Sequence, residues 1–177
     1  MIFDETTVAG AFLIRPEPLT DERGFFARTY CARELAEHGL DPQVVQRSIS
    51  HNRARGTLRG MHYQAAPHEE SKQISCTRGS IFDVIVDLRR ASPTCGRWFS
   101  TTLSADEPRS LFVPKGCAHG FITLADDTIV QYDISEFYHP ESARGLRYDD
   151  PAFRIEWPFA PTVISARDLA FPPYARS

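Results

Sequence analysis

The chain has 177 residues, enough to bury a sizeable core in one domain. Its 20 basic and 23 acidic residues leave a net charge of -3, which removes the electrostatic case for a nucleic-acid partner. No apolar run has the length of a membrane span, and the opening M-I-F-D-E-T-T carries acids where a secretion signal carries lysines, so a cytoplasmic protein with no membrane partner is expected.

Residues 8–15, V-A-G-A-F-L-I-R, read as a first strand closed by Pro16 and Pro18. D-E-R-G-F-F at 21–26 is a turn feeding a second strand. C-A-R-E-L-A-E-H, from Cys31 to His38, predicts a short surface helix with Leu35 as its apolar contact and Gly39 as its C-terminal cap. From Val44 onward short strands alternate with turn residues. In I-F-D-V-I-V-D-L at 81–88, Phe82, Val84, Val86 and Leu88 share one face, with Asp83 and Asp87 on the other. Arg89 and Arg90 lead a solvated turn, R-A-S-P-T-C-G at 90–96. Further strands are expected at 98–103, at 111–113, in C-A-H-G-F-I-T-L and in T-I-V-Q-Y-D-I-S. After Tyr138 the chain becomes an irregular, Pro-rich tail with one helical turn at 164–170. Neither repeats nor a linker interrupt it. The expectation is one all-β domain over 1–177, a sandwich or jelly roll. Cys31, Cys76, Cys95 and Cys117 form no C-x-x-C pair, so they are expected to be reduced thiols, mostly buried, and not a zinc site.

R-G-T-L-R-G-M-H-Y-Q at 55–64 breaks with this packing pattern. A strand that serves only packing reads as Val, Ile and Phe, whereas this one, bracketed by glycines, carries two arginines, a histidine and a tyrosine. Strand parity places Tyr132 with Val130 and Ile134, His119 with Phe121, Lys72 with Ile74 and His62 with Leu58. All four polar groups are then expected to point inward among apolar neighbours, where water is excluded and pKa values shift.

The 55–64 motif resembles the signature of the dTDP-4-dehydrorhamnose 3,5-epimerase family, sugar-nucleotide epimerases built on a cupin jelly roll. The likeness continues in family order through D-E-R-G-F-F, F-D-V-I-V-D-L-R at 82–89, S-P-T-C-G at 92–96, V-P-K-G-C-A-H-G-F at 113–121, Y-H-P at 138–140 and D-D-P…I-E-W-P at 149–158. It implies a cofactor-independent isomerase that inverts the carbons next to the ketone of an NDP-4-keto-6-deoxyhexose. Such a reaction needs a base, an enolate stabiliser and an acid on the opposite face. By position, the resemblance makes His62 the base, Asp168 the carboxylate that orients it, Lys72 the cation near the keto oxygen and Tyr132 the acid. His119 becomes a second pocket histidine. Arg23 and Arg59 become pyrophosphate ligands, suited by their guanidinium forks, and Phe26 and Tyr138 become aromatics near the base. Gln46 falls where the family also has glutamine.

Two positions depart from the family pattern. Arg28 stands where a glutamate usually accepts from thymine, and Ser48 stands where asparagine is usual. The reversed charge predicts a nucleotide or sugar different from that of the rhamnose pathway. P-x-G-x-x-H places His119 where cupins carry a metal ligand, but Tyr63 and Gln64 follow His62 in place of a second histidine, so no metal is expected there. The alternatives are a C3-only or C5-only epimerase, a metal-dependent cupin oxygenase and a binding protein that has lost turnover. The family likeness also implies a homodimer in which the strands within residues 1–30 cross to the partner.

Overall fold

The computed structural model describes residues 1–174, so the last three residues of the expected 1–177 domain lie outside the described residues. Strands β1 (Ile2–Glu5) and β2 (Phe12–Arg15) precede the hairpin β3 (Leu19–Asp21) and β4 (Gly24–Phe26) and the helix α1 (Ala32–Glu37). Next come β5 (Gln46–Asn52), β6 (Thr57–Gln64), β7 (Lys72–Arg78) and β8 (Ser80–Asp87). They are followed by β9 (Trp98–Ser104), β10 (Ser110–Val113), β11 (Cys117–Thr123) and β12 (Thr128–Ile134). The tail holds β13 (Ala143–Gly145), β14 (Val163–Ile164) and the single-turn helix α2 (Ala166–Leu169).

Two sheets make a jelly roll. The first runs β1-β2-β10-β7-β12-β5 and the second β13-β6-β11-β8-β9, with β14 joining β6 in parallel. Ile74, Leu111 and Val130 from the first sheet meet Ile81, Ile85, Leu103 and Phe121 from the second, so the main core lies between them. The outer face of the first sheet packs Ile14 and Phe112 against Leu35 of α1. Leu35 is 1 % exposed, and Gly39 follows the helix at φ 70°, as a C-terminal glycine does. Full burial of one such leucine contributes about 1.5–3 kcal/mol.

Two expectations are corrected, and a third, the alternation at 81–88, is extended. The strand read over residues 8–15 begins only at Phe12, because Gly10 takes φ 76° and Ala11 N–H donates to Val8 O at 3.0 Å; Val8 anchors a turn, and β1 precedes it. The alternation in β8 is real, but both faces are buried. Val84 and Val86 pack beneath Phe153, Ile155 and Trp157 of the tail, while Asp83 and Asp87 share the inner face with Ile81 and Ile85 at 0 % exposure. Arg89 is no free solvated side chain: its Nε donates to Asp87 Oδ1 at 2.8 Å and its Nη2 to Ala9 O at 2.6 Å. Ser92 Oγ and Thr94 Oγ1 complete the shell at 2.5 and 2.6 Å from Asp87 Oδ2, so the 90–96 turn is built around a buried carboxylate. Of the cysteines, Cys76 and Cys117 are buried thiols as expected, while Cys95 is exposed.

Candidate active site

A cavity of about 400 Å3 opens between the two sheets. Gln46, Ser48 and Ser50 of β5, Lys72 of β7 and Tyr132 of β12 line it from the first sheet. Arg59 and His62 of β6 with His119 and Phe121 of β11 line it from the second, and Tyr138 reaches it from the loop after β12. The four inward polar groups thus meet as expected. His62 arrives by a different route, however. His119 opposes His62 and Phe121 opposes Arg59, so two residues of β6, Gly60 and Met61, oppose one of β11, Gly120. This bulge puts Arg59, and not Leu58, on the cavity side with His62. It lies at Gly60, which therefore sits inside the strand and does not bracket it. Gly60 has φ 138°, and a Cβ there would fall 2.5 Å from Gly120 Cα. Two glycines facing each other let β6 and β11 approach closely enough to hold both histidines.

The tail orients His62. Ser165 Oγ accepts from Asp168 N–H at 3.0 Å and caps α2, which delivers Asp168 to the second sheet. Asp168 is 4 % exposed; its Oδ1 lies 2.8 Å from His62 Nε2, and its Oδ2 accepts from Gly60 N–H at 3.2 Å. Burial pushes the Asp168 carboxyl up, but the His62 hydrogen bond and charge, together with Gly60 and Ser165, outweigh it and hold it below the usual carboxylate range. An ionised carboxylate only accepts, so Nε2 donates to it, and whenever the ring is neutral the lone pair is on Nδ1. Phe171 packs edge-on to His62 at 5.9 Å between ring centroids and lies over Gly145, where a Cβ would strike its ring.

Tyr132 stands on the other sheet. Its hydroxyl lies 3.2 Å from Ser50 Oγ, which accepts from Asn52 Nδ2 at 3.3 Å, and Asn52 Oδ1 in turn accepts from Arg59 Nε at 2.8 Å. Burial is the main reason the phenol is pushed well above its ordinary value, with Ser50 opposing it. The group therefore stays protonated at neutral pH, the state a proton donor requires. His119 packs edge-on to Tyr132 at 6.2 Å, and its Nε2 lies 2.7 Å from Asp83 Oδ1. Asp83 is fully buried, which pushes its carboxyl up against the opposing pull of His119.

Four residues of this environment escape motif reasoning. Asp83 was in phase with Ile81 and Ile85, which is the signal that it faces the core. Glu70 lies 2.6 Å from Lys72 Nζ, with both side chains nearly buried, so the cavity cation has its own counter-charge. Phe171 and Arg167, on either side of Asp168, come with the tail.

Arg23, Phe26 and Arg28 are not brought to this cavity. Among the described residues the hairpin β3–β4 pairs only with itself, Phe26 is 73 % exposed and Arg23 turns back to Asp21. Arg28 is held by Glu34 of α1 at 3.3 Å. Of the strands within residues 1–30, β1 and β2 pair with each other and β2 with β10 within the chain.

The family model for dTDP-4-dehydrorhamnose 3,5-epimerase matches residues 5–176. A dTDP-4-dehydrorhamnose 3,5-epimerase from Methanothermobacter thermautotrophicus is 42 % identical over 97 % of this chain and 93 % of its own length. The structure of the Bacillus anthracis enzyme of that name, with TDP and PPi bound, superposes with a TM-score of 0.93 at 39 % identity, covering 98 % of this chain and 99 % of that one. ChmJ, a 3'-monoepimerase from Streptomyces bikiniensis in complex with dTDP-quinovose, gives 0.87 at 30 % identity over 95 % of this chain and 85 % of its own. The chain belongs to the dTDP-4-dehydrorhamnose 3,5-epimerase family, an isomerase family of deoxysugar epimerases.

Proposed function

We propose that the chain epimerises an NDP-4-keto-6-deoxyhexose at C3, C5 or both, without a cofactor, with His62 as base and Tyr132 as acid. One observation carries this assignment: the His62–Asp168 dyad on β6 and Tyr132 on β12 occupy opposing walls of one cavity. A hexose ring between the walls presents one face to each. His62 Nδ1 removes the proton next to the ketone, and the electron pair moves onto the keto oxygen as an enolate. Lys72 and His119 stabilise that oxygen, and Tyr132 returns a proton to the opposite face. His62 ends protonated and Tyr132 deprotonated, and exchange with water restores both. Arg59 with Gln46, Ser48 and Tyr138 receives the diphosphate and base; the nucleotides bound in the Bacillus and Streptomyces relatives support that use of the cavity.

The reading extends to a cytoplasmic homodimer of single-domain protomers, each sending Arg23, Phe26 and Arg28 to its partner's cavity. Its support is the hairpin, whose Leu19, Phe25 and Phe26 are 72 %, 60 % and 73 % exposed, a large apolar surface for so short an element. Light scattering checks it, and a monomer overturns it. Arg28 in place of an acceptor predicts a base other than thymine; calorimetric titration with dTDP, CDP, GDP and UDP tests this, and a clear preference for dTDP overturns it.

Proton NMR in D2O with dTDP-4-keto-6-deoxyglucose and its CDP- and GDP-linked counterparts tests the chemistry. Deuterium at C3, C5 or both is expected, and the carbons labelled name the reaction. The absence of exchange with every substrate would refute it.

A further inference from the structure

We propose that Phe171 is a positioning residue for His62, seated in a slot that exists because residue 145 is glycine. Gly145 of β13 is the direct cross-strand partner of His62 on β6, so a side chain at 145 would stand beside the imidazole. The Phe171 ring takes that place: a Cβ on Gly145 would strike its Cε1, Cε2 and Cζ atoms. From the slot the ring meets His62 edge-on, with 5.9 Å between centroids and 70° between planes. The backbone at Gly145 is not left-handed, so its conformation suits any residue, and the ring is what excludes a side chain there.

Asp168 holds the imidazole at one atom, Nε2. A ring tied at one nitrogen still tilts about that tie, and 40 % of the His62 side chain is exposed, so its open side does not restrain it. Phe171 packs across the tilt and keeps Nδ1, the nitrogen proposed as base, at a fixed angle to the substrate. Misplacing a reacting group by about 1 Å costs about 10²-fold in rate, so a loose imidazole is a slow base even with its hydrogen bond intact.

The tail is seated on both sides of Phe171 by other contacts. Before it, Ser165 caps α2 and Arg147 Nη1 donates to Leu169 O at 3.3 Å. After it, Tyr174 N–H donates to Oδ2 of the buried Asp150 at 2.6 Å, and the Tyr174 ring packs on Phe153 at 4.9 Å between centroids. Removing the Phe171 ring therefore leaves Asp168 in place and frees only the flank of the imidazole. The inference rests on His62 as the base, yet the freedom of its ring is readable without turnover.

The test compares the parent with Phe171→Ala, Gly145→Ala and the double variant, by deuterium uptake with the 4-keto substrate and by 1H–15N spectra of 15N-histidine-labelled protein. The parent should give one sharp set of His62 ring signals, and Phe171→Ala should broaden or double them. Phe171→Ala should also lower kcat by about tenfold or more with KM within about twofold of the parent. Gly145→Ala pushes the ring off its seat and should reproduce that loss. In the double variant the added methyl meets vacated space, so Gly145→Ala should cost less than about twofold there, a non-additivity that two independent sites do not show. Where Phe171→Ala fails to fold, Phe171→Leu, which keeps apolar bulk without the flat ring, takes its place in the same comparison. Unchanged His62 signals in the folded variant overturn the proposal. So do effects that multiply in the double variant, or a rise in KM with kcat intact, which would make the ring a substrate contact. A parent that exchanges no substrate refutes the epimerase reading, and the His62 signals then decide this proposal alone.

Discussion

Replacing Asp168 by Asn keeps the size of the residue and changes the acceptor that dictates the His62 tautomer. The carboxylate now serves His62 Nε2 at 2.8 Å and Gly60 N–H at 3.2 Å, one through each oxygen. An amide has one oxygen. Given to Gly60, it turns its NH2 toward His62, so Nε2 must accept and the proton moves to Nδ1, the nitrogen proposed as base. A hydrogen bond to a charged partner contributes about 1.5–3 kcal/mol, and mispositioned general-base catalysis forfeits about 10²–10⁴-fold in rate. The variant should therefore fold, lose no more than about 3 kcal/mol of stability, and drop kcat by about 10²–10⁴-fold with KM nearly unchanged. Urea denaturation and the rate of deuterium uptake in D2O measure the two quantities. A folded variant with kcat within threefold of the parent would refute the tautomer argument.

Asp87 gives a pH prediction. Burial alone would raise it, but Arg89, Ser92 and Thr94 outweigh burial and hold it at about 2. Its folded pKa lies below the unfolded value, so its stabilisation is present above about pH 4 and is lost as pH falls through the folded value, an effect on the order of 2 kcal/mol. The stability gap between the parent and Asp87→Asn should shrink between pH 6 and pH 2.5, read by urea midpoints, and a constant gap would contradict it. Gly60→Ala forces a side chain against Gly120 at φ 138°; we expect a loss of at least about 1–3 kcal/mol, with activity falling too because His62 shares the strand. Leu35→Ala should cost about 2–5 kcal/mol in thermal or urea unfolding while leaving kcat unchanged, since the helix packs on the outer face of the first sheet, away from the cavity.

Much of this site was legible in the chain, and the reasons differ by residue. Lys72, His119 and Tyr132 sit on strands whose period holds near them, so counting by twos put them inward. The same count also brought His62 inward, but through Leu58, which is on the wrong face; the extra residue at Gly60 shifts the phase, and nothing in the alternation announces it. The opposite facing of Asp83 was legible, but its role was not, because its partner His119 lies on the neighbouring strand. The tail looked irregular because its order comes from packing on β6 and β8 and not from its own periodicity, yet it supplies Asp168 and Phe171 to His62. The turn at 21–26 and the strand it feeds, β4, were legible, but the paired strand β3 was not. Each of the two is three residues long, too short to show a period.

The assignment of opposite-face chemistry to His62 and Tyr132 is tested most directly by Tyr132→Phe in D2O. The base remains, so deuterium should still enter the substrate next to its ketone with no inversion, while formation of the epimer falls by about 10²–10⁴-fold. Inversion at the parental rate, or loss of exchange and inversion together in a folded variant, would contradict the account.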